Sequence, residues 1–445
     1  MSQMQMEDFK PIPLAERSLS TKSTFMIWGA CNLVITSVLT GMYMIPSLSL
    51  ETALMAIFFG SAIGAIPLTL VALMGTKTGL ATMAASRATF GVKGSMIPSG
   101  INVVTLAVWS WIQAGIGGYA LNYASIMLFN FDNHTIYTII TQVLVVVIAL
   151  YAIKGIALYE KVTMVVLVLI FGAVIFTAVT SFGVGGIFGF VAGTYPLYEA
   201  LSTMEVFDLV VVTALTWTPL AADYNRYCKT QRASVLGTGL GYTLGSTLSK
   251  GIGALVIVMI LLTGTEVPLD ADGGIHTSEV FSMVGFGIAG AIAIFMSVIA
   301  ANVMCVYSST ISFLNIFPRA SFRKSAIGIG VICVVGAVFS GILGVFLDWI
   351  FLLGALFMPL FAIIIADFYV IQKQNYQIDA ILSPETHKEY SYSNGWNLKA
   401  IVVYLFSAGL SYYWIINPIP IGFTIPAFVI AFVLYILACK YVKTK

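Results

Sequence analysis

Apolar residues run in stretches of about twenty, and polar residues gather between them, along the whole chain. Twelve such stretches fall at roughly 24–46, 50–74, 97–127, 134–153, 160–181, 206–223, 235–263, 280–315, 325–345, 348–372, 398–416 and 420–441. A run of that length suits a helix crossing the hydrocarbon core, whereas barrel strands would be about 9–11 residues with strict alternation. The pattern predicts an all-α polytopic membrane protein with twelve transmembrane helices.

Charge in the connections sets the orientation. Of the 21 Lys and Arg, all but Lys250 fall at one end of the predicted helices: Lys10, Arg17 and Lys22 before the first, Lys77, Arg87 and Lys93 after the second, and so on to Lys440, Lys443 and Lys445 at the end. The opposite connections carry Glu51, Asp132, Glu199, Glu266, Asp270, Asp272, Glu279 and Asp348 and no Lys or Arg. The basic side is expected to be cytoplasmic. Both termini are then expected on the cytoplasmic side of a cell membrane, inner or plasma, that the chain crosses many times. Residues 1–23 read as a cytoplasmic tail, not a cleavable signal peptide, and 373–397 as a cytoplasmic loop before the last two helices, 398–441.

Composition agrees: 59% of residues are hydrophobic and 9% charged, with a mean hydropathy of +0.97, against about 25% charged in soluble domains. The net charge of +2 and the lack of a basic patch with interleaved aromatics give no sign of nucleic-acid binding. Cys31, Cys228, Cys305, Cys333 and Cys439 lack metal-ligand spacing and read as small hydrophobes. His134, His276 and His387 fall in connections, and no phosphate-binding loop occurs. Neither a metal, a cofactor nor an enzymatic activity is expected, and ATP is not the energy source.

Polar interruptions of the apolar runs mark the candidate chemistry. The first segment is broken by Gly29, Asn32, Thr36, Thr40 and Gly41 and ends at Pro46; the sixth passes through Thr213, Thr216, Trp217, Thr218 and Pro219 to Asp223 and Arg226. Two interrupted helices at matching positions of two halves point to a site at the bilayer midplane, so both are expected to be broken. In the third segment Trp109 and Gln113 are four apart and share a helix face. An indole to stack on and an amide that both donates and accepts suit a flat polar heterocycle. Ser297 and Asn302 make the eighth segment polar, with Asn302 expected to reach the cavity. Lys250 stands near the middle of the seventh, where an ionisable group is costly and functional by default.

Three stretches carry a resemblance: SRATFGVKGS (86–95), AADYNRY (221–227) and MPLFAIIIADFYV (358–370). With the order of the twelve segments, they resemble the nucleobase–cation symporter family, the purine/cytosine permease group. The resemblance implies a five-plus-five inverted repeat of the amino-acid transporter-like superfamily, with 24–181 and 206–372 as the repeats and two helices added. It implies a heterocycle between segments 1, 3, 6 and 8, stacked on Trp109, with Gln113 matching a glutamine of hydantoin-type members. The cytosine permease glutamine falls instead on Leu106. A second clamping aromatic falls on Ala214 and is lost, with Trp217 nearby to supply a ring and Thr216 matching a hydroxyl that contacts the base; backbone near Ala214 is expected to be unwound.

Family sodium sites use backbone positions matching Gly29 and Asn32 and two hydroxyl residues that fall here on Ala300 and Ala301. A hard cation needs oxygens, so proton coupling is expected over sodium, with Lys250, Asp208 and Glu205 as the titrating candidates. Asp223 and Arg226 read as a structural pair or inner gate. The expected activity is cation-coupled import of a nucleobase or similar planar heterocycle. Electrical neutrality of such a cargo explains the lack of a buried ion pair for it. The alternatives are a thiamine-precursor pyrimidine such as hydroxymethylpyrimidine, or a heterocycle sensor without turnover.

Overall fold

A computed structural model of the chain describes residues 11–151, 153–193, 201–270, 273–339, 341–383 and 386–441. The predicted positions Lys10, Glu199, Asp272, Lys443 and Lys445 lie outside the described residues.

The first predicted segment is two helices, α1 (Thr21–Asn32) and α2 (Ile35–Met42), bent by 54°. There follow α3 (Leu50–Thr78), a short α4 (Thr82–Phe90), α5 (Met96–Phe129), α6 (His134–Tyr151) and α7 (Ile153–Phe188). The second half runs through α8 (Thr203–Asn225), α9 (Gln231–Leu262), α10 (Thr277–Met283), α11 (Gly287–Ile316), α12 (Phe322–Phe339) and α13 (Phe346–Ala366). A π-turn at Asp367–Ile371 leads to α14 (Ile378–Leu382), α15 (Leu398–Ile416) and α16 (Thr424–Tyr441). Nine helices among the described residues are long and apolar enough to cross a membrane, and the α1–α2 pair makes a tenth. The fourth and ninth predicted segments, α6 and α12, are also helical.

The break between α1 and α2 has a local cause. Asn32 turns its side-chain amide back onto the Trp28 carbonyl at 2.9 Å, and Val34 is extended at φ −126°, ψ 151°. Backbone groups freed inside a membrane must find partners in the protein. Ser249 Oγ of α9 donates to the Asn32 carbonyl at 2.6 Å, and the Ile35 amide donates to Ser297 Oγ of α11 at 2.9 Å.

The sixth segment differs from expectation: α8 is one continuous helix through Pro219. Proline removes one amide donor, to Leu215, but the threonines hold the turns together. Thr213 Oγ1 donates to Val210 O, Thr216 Oγ1 to Thr213 O and Thr218 Oγ1 to Ala214 O, at 2.7, 2.8 and 3.2 Å. Backbone around Ala214 is therefore wound.

Small residues bring helices close, as in many membrane bundles. Gly60, Gly64 and Gly75 of α3 meet Val210, Ala214 and Ala222 of α8, and Gly237, Gly241 and Gly245 of α9 meet α1. A Cβ at Gly41 of α2 would run into the Lys250 carbonyl, and one at Gly253 into the Val38 carbonyl. Against this cluster, α5 and α11 pair through Asn102 Nδ2–Ser312 Oγ at 2.8 Å and Ser309 Oγ–Val103 O at 3.3 Å.

Candidate functional site

A cavity lies where the α1–α2 break faces α5, α8, α9 and α11. The break contributes Asn32 and Val34, and the first turns of α2 add Thr36, Ser37 and Thr40. From α5 come Leu106, Trp109 and Gln113; from α8, Thr213, Thr216, Trp217 and Leu220. Lys250 of α9 and Ala301 and Cys305 of α11 complete the wall.

Six of the predicted site residues thus meet in one place, Asn32, Trp109, Gln113, Thr216, Trp217 and Lys250, with Thr36, Thr40 and Thr213 of the interrupted stretches beside them. The i, i+4 spacing on α5 puts Trp109 and Gln113 on the cavity side. Gln113 donates from Nε2 to Cys305 Sγ at 3.3 Å, which leaves its Oε1 buried with no protein partner, as is the Trp109 indole nitrogen. Buried polar atoms are normally paired, so these two are free to meet a ligand. The wall as a whole is apolar surface with a few polar groups, the composition of a small-molecule site.

Four other predicted site residues do not reach the cavity. Ala214 packs on Gly64 of α3. Asn302 is turned the other way: its Nδ2 donates to Gln142 Oε1 at 2.9 Å and to the Ser110 carbonyl at 3.2 Å, tying α11 to α6 and α5. Ser297 is occupied by the Ile35 amide. Gly29 lies against α9 at Gly241 and Gly245. Nothing in the sequence marked Ser37 and Cys305 as wall residues beyond the place of Ser37 next to Thr36 in the interrupted stretch.

Residues 11–437 match the family described as "Permease for cytosine/purines, uracil, thiamine, allantoin". The chain belongs to this nucleobase–cation symporter family. It is similar to the cytosine permease of Escherichia coli (strain K12), 24% identical over 369 residues, 82% of this chain and 81% of the relative. It is also similar to the hydantoin permease of Microbacterium maritypicum, 25% identical over 430 residues, 90% of this chain and 83% of the relative. Among solved structures, Mhp1 in an inward-facing conformation superposes with a TM-score of 0.82 at 21% identity, covering 98% of this chain and 93% of that one. The fold is that of a polytopic membrane transporter. The family is one of permeases, and this permease is not an enzyme.

Both ends of the permease's cavity are covered. Toward the acidic side, Phe346 at the start of α13 stands edge-on to Trp109, centroids 6.1 Å apart at 81°, and stacks on Tyr43 at 5.7 Å and 20°. Tyr43 and Phe346 also line a vestibule with Glu205, Asp208 and Asp348, so the two rings separate vestibule from cavity. Toward the basic side, Asp223 accepts from the Thr82 amide at 2.9 Å and from Ser308 Oγ at 3.4 Å, while the Ala222 amide donates to Thr82 Oγ1 at 3.1 Å. Arg226 Nε donates to the Asp223 carbonyl at 3.2 Å. Asp223 and Arg226 stand at the basic end of α8, and neither lines the cavity.

The segment before α1 straps the same face. Leu19 N donates to Tyr227 O at 3.0 Å, and Lys229 N to Leu19 O at 2.9 Å. Arg17 reaches the Thr76 carbonyl. Arg87 of α4 is half-buried, desolvation lowers its pKa, and it points its guanidinium at the carbonyls of Asn315 and Ile381.

Ala300 and Ala301 line a second, smaller hollow beside the break. Its other walls include Cys31, Leu33, Met164 and Met304, and Cys31 Sγ lies 3.9 Å from Met304 Sδ. The side-chain oxygens there are Thr163 Oγ1 and Ser297 Oγ, the latter already held by Ile35 N. These two side-chain oxygens are fewer than the several oxygens a hard cation takes, so backbone carbonyls would have to supply the rest.

Asp208, a titrating candidate by sequence, has its oxygens committed. It accepts from Phe423 N at 2.8 Å, Thr424 Oγ1 at 2.5 Å and Thr424 N at 3.3 Å, and so caps α16. Glu205 closes a capping box with Ser202 at the start of α8.

Proposed function

We propose that this permease takes up a nucleobase or similar planar heterocycle by cation symport, the proton being preferred to sodium. The relatives named for cytosine and hydantoin support that cargo class. The observation that carries the reading is the cavity at a helix break with two indoles, Trp109 and Trp217, and the unpaired amide oxygen of Gln113 in its walls. An indole supplies a stacking face, and the amide oxygen accepts from a ring N–H or exocyclic amine. Thr216 spends its hydroxyl hydrogen on Thr213 O, so toward a ligand it offers oxygen lone pairs.

Preference for the proton is supported by the methyl and thioether lining at Ala300, Ala301 and Met304. Lys250 is then the group that carries charge through the cycle. Of the cavity-lining side chains, only Lys250 and Cys305 ionise. The full architecture we infer is twelve helices, repeats at 24–181 and 206–372, the loop 373–397 and the added pair 398–441, in a cell membrane with both termini cytoplasmic.

The deciding experiment is uptake of radiolabelled cytosine, adenine, uracil and hydroxymethylpyrimidine into cells lacking their own carriers and expressing this chain. Accumulation of one of them supports the reading. Binding without accumulation makes the chain a sensor, and neither binding nor uptake of any heterocycle sinks the assignment.

A further inference from the structure

Lys250 is 1% exposed, and its Nζ donates to Ser246 Oγ at 2.6 Å and to Ser37 Oγ at 3.2 Å. Both acceptors are neutral, and Ser246 passes on to Ser61 Oγ at 2.9 Å. In its charged form Nζ has three N–H groups, so one is left over. Among the described residues no carboxylate bonds to it and none lines the cavity. The carboxylates buried elsewhere in the bundle are otherwise engaged: Asp208 by Phe423 and Thr424, Asp223 by Thr82 and Ser308, Asp367 by Tyr376, Tyr435 and Thr89. A buried charge with no counter-charge is strongly unfavourable.

Two further features have the same sign. Helix α2 begins at the cavity, with Thr36 and Ser37 of its first turn in the wall, so its positive end faces the space. The Trp109 indole N–H, a donor only, is buried and unpartnered in the same wall. Cavity, ammonium, helix end and unspent donor together call for negative charge.

We propose that the cargo binds as an anion: a planar heterocycle whose negative charge, borne by a ring that has lost an acidic N–H or by a carboxylate substituent, pairs with the Lys250 ammonium. This deepens the proposed function and rests on its assignment of the cavity as the cargo site. The cargo then supplies the missing counter-charge, and the loaded cavity is the electrostatically complete one. An anion that enters with one proton crosses without net charge.

Three probes share one pyrimidine ring and separate the cases: uracil is neutral, barbiturate carries its charge on the ring, and orotate carries a carboxylate. Binding of each to the purified full-length protein is read by titration calorimetry. A charge-assisted hydrogen bond to a buried ammonium predicts that at least one anion binds about tenfold or more tighter than uracil. Lys250→Met brings the two classes together, and Lys250→Arg keeps the preference for the anion. Uracil, cytosine or adenine binding more tightly than both anions overturns this inference and leaves the heterocycle reading standing. No binding of any probe removes both. Anion preference that survives in Lys250→Met also overturns it. The wild-type comparison decides even where a variant does not fold.

Discussion

The indole nitrogen of Trp28, on α1, donates to Asn225 Oδ1, at the end of α8, at 2.8 Å. This bond joins the first half of the broken helix to the helix that carries Thr216 and Trp217. Asn225 is fully buried and spends its amide hydrogens on Ser234 and Thr238 of α9, at 2.8 and 2.7 Å, while its carbonyl accepts from Thr76 of α3 at 2.8 Å. One side chain therefore ties α1, α8 and α9 at the basic face.

Asn225→Ala removes all three side-chain bonds and leaves the indole N–H unpaired. Each buried group so orphaned costs about 1–3 kcal/mol, and the state that loses most is the one closed on the basic side. The reporter is Cys228, buried beneath the strap with its thiol 3.3 Å from Thr24 Oγ1. With the other four cysteines replaced, maleimide labelling of Cys228 is expected to rise about tenfold in Asn225→Ala. Unchanged labelling would show that this knot is not what holds the basic side shut.

Trp109 serves the cavity and its cover at once, through Phe346. Trp109→Ala is expected to abolish uptake while the protein still reaches the membrane. Base stacking on an aromatic is worth about 1–3 kcal/mol, and the lid also loses its seat. Phe346→Ala should behave differently: cargo still binds, but exchange from the acidic side becomes faster. Near-normal uptake by Trp109→Ala would remove the stacking role, and slower exchange in Phe346→Ala would remove the lid.

That the chain is a helical, polytopic membrane protein was legible in apolar run length, and the polar interruptions of the first segment marked the stretch that lines the cavity. The i, i+4 pair of Trp109 and Gln113 was legible because helical spacing alone fixes a shared face. Asn302 was misjudged because its polarity is equally well used between helices: Gln142 and Ser110 stand opposite, and a single sequence does not show which neighbour a helix face meets. The break predicted in α8 failed for a related reason. Pro219 and the threonines read as an interruption, yet the hydroxyls turn inward onto carbonyls of their own helix. In α1 and α2 the same kind of interruption did produce a break, because Ser249 and Ser297 from other helices take the freed groups.

The lining at Ala300 and Ala301 sets an expectation for the driving ion. Replacing external sodium by choline at fixed pH should leave the initial uptake rate unchanged within about twofold, since only two side-chain oxygens stand there and one is already held by Ile35 N. An inward proton gradient imposed on vesicles should raise it. Uptake that collapses in choline would mean that sodium binds at some other cluster of oxygens, and proton coupling would be withdrawn.

Asp208 separates structure from coupling. Its carboxylate meets two backbone amides and one hydroxyl at the first turn of α16, and a Cβ at Gly422 would come within 2.6 Å of its Oδ2. Such a carboxylate is held by geometry on both sides, and a group that must release and rebind a proton in each cycle needs room that this one lacks. Asp208→Ala leaves the Phe423 and Thr424 amides unpaired, and each such loss costs about 1–3 kcal/mol. The thermal midpoint of the purified protein should fall by several degrees. Cargo affinity of the protein that remains folded should be unaltered, and so should its response to a proton gradient. A variant of normal stability whose uptake has lost its dependence on the proton gradient would restore Asp208 as the coupling group and take that role from Lys250.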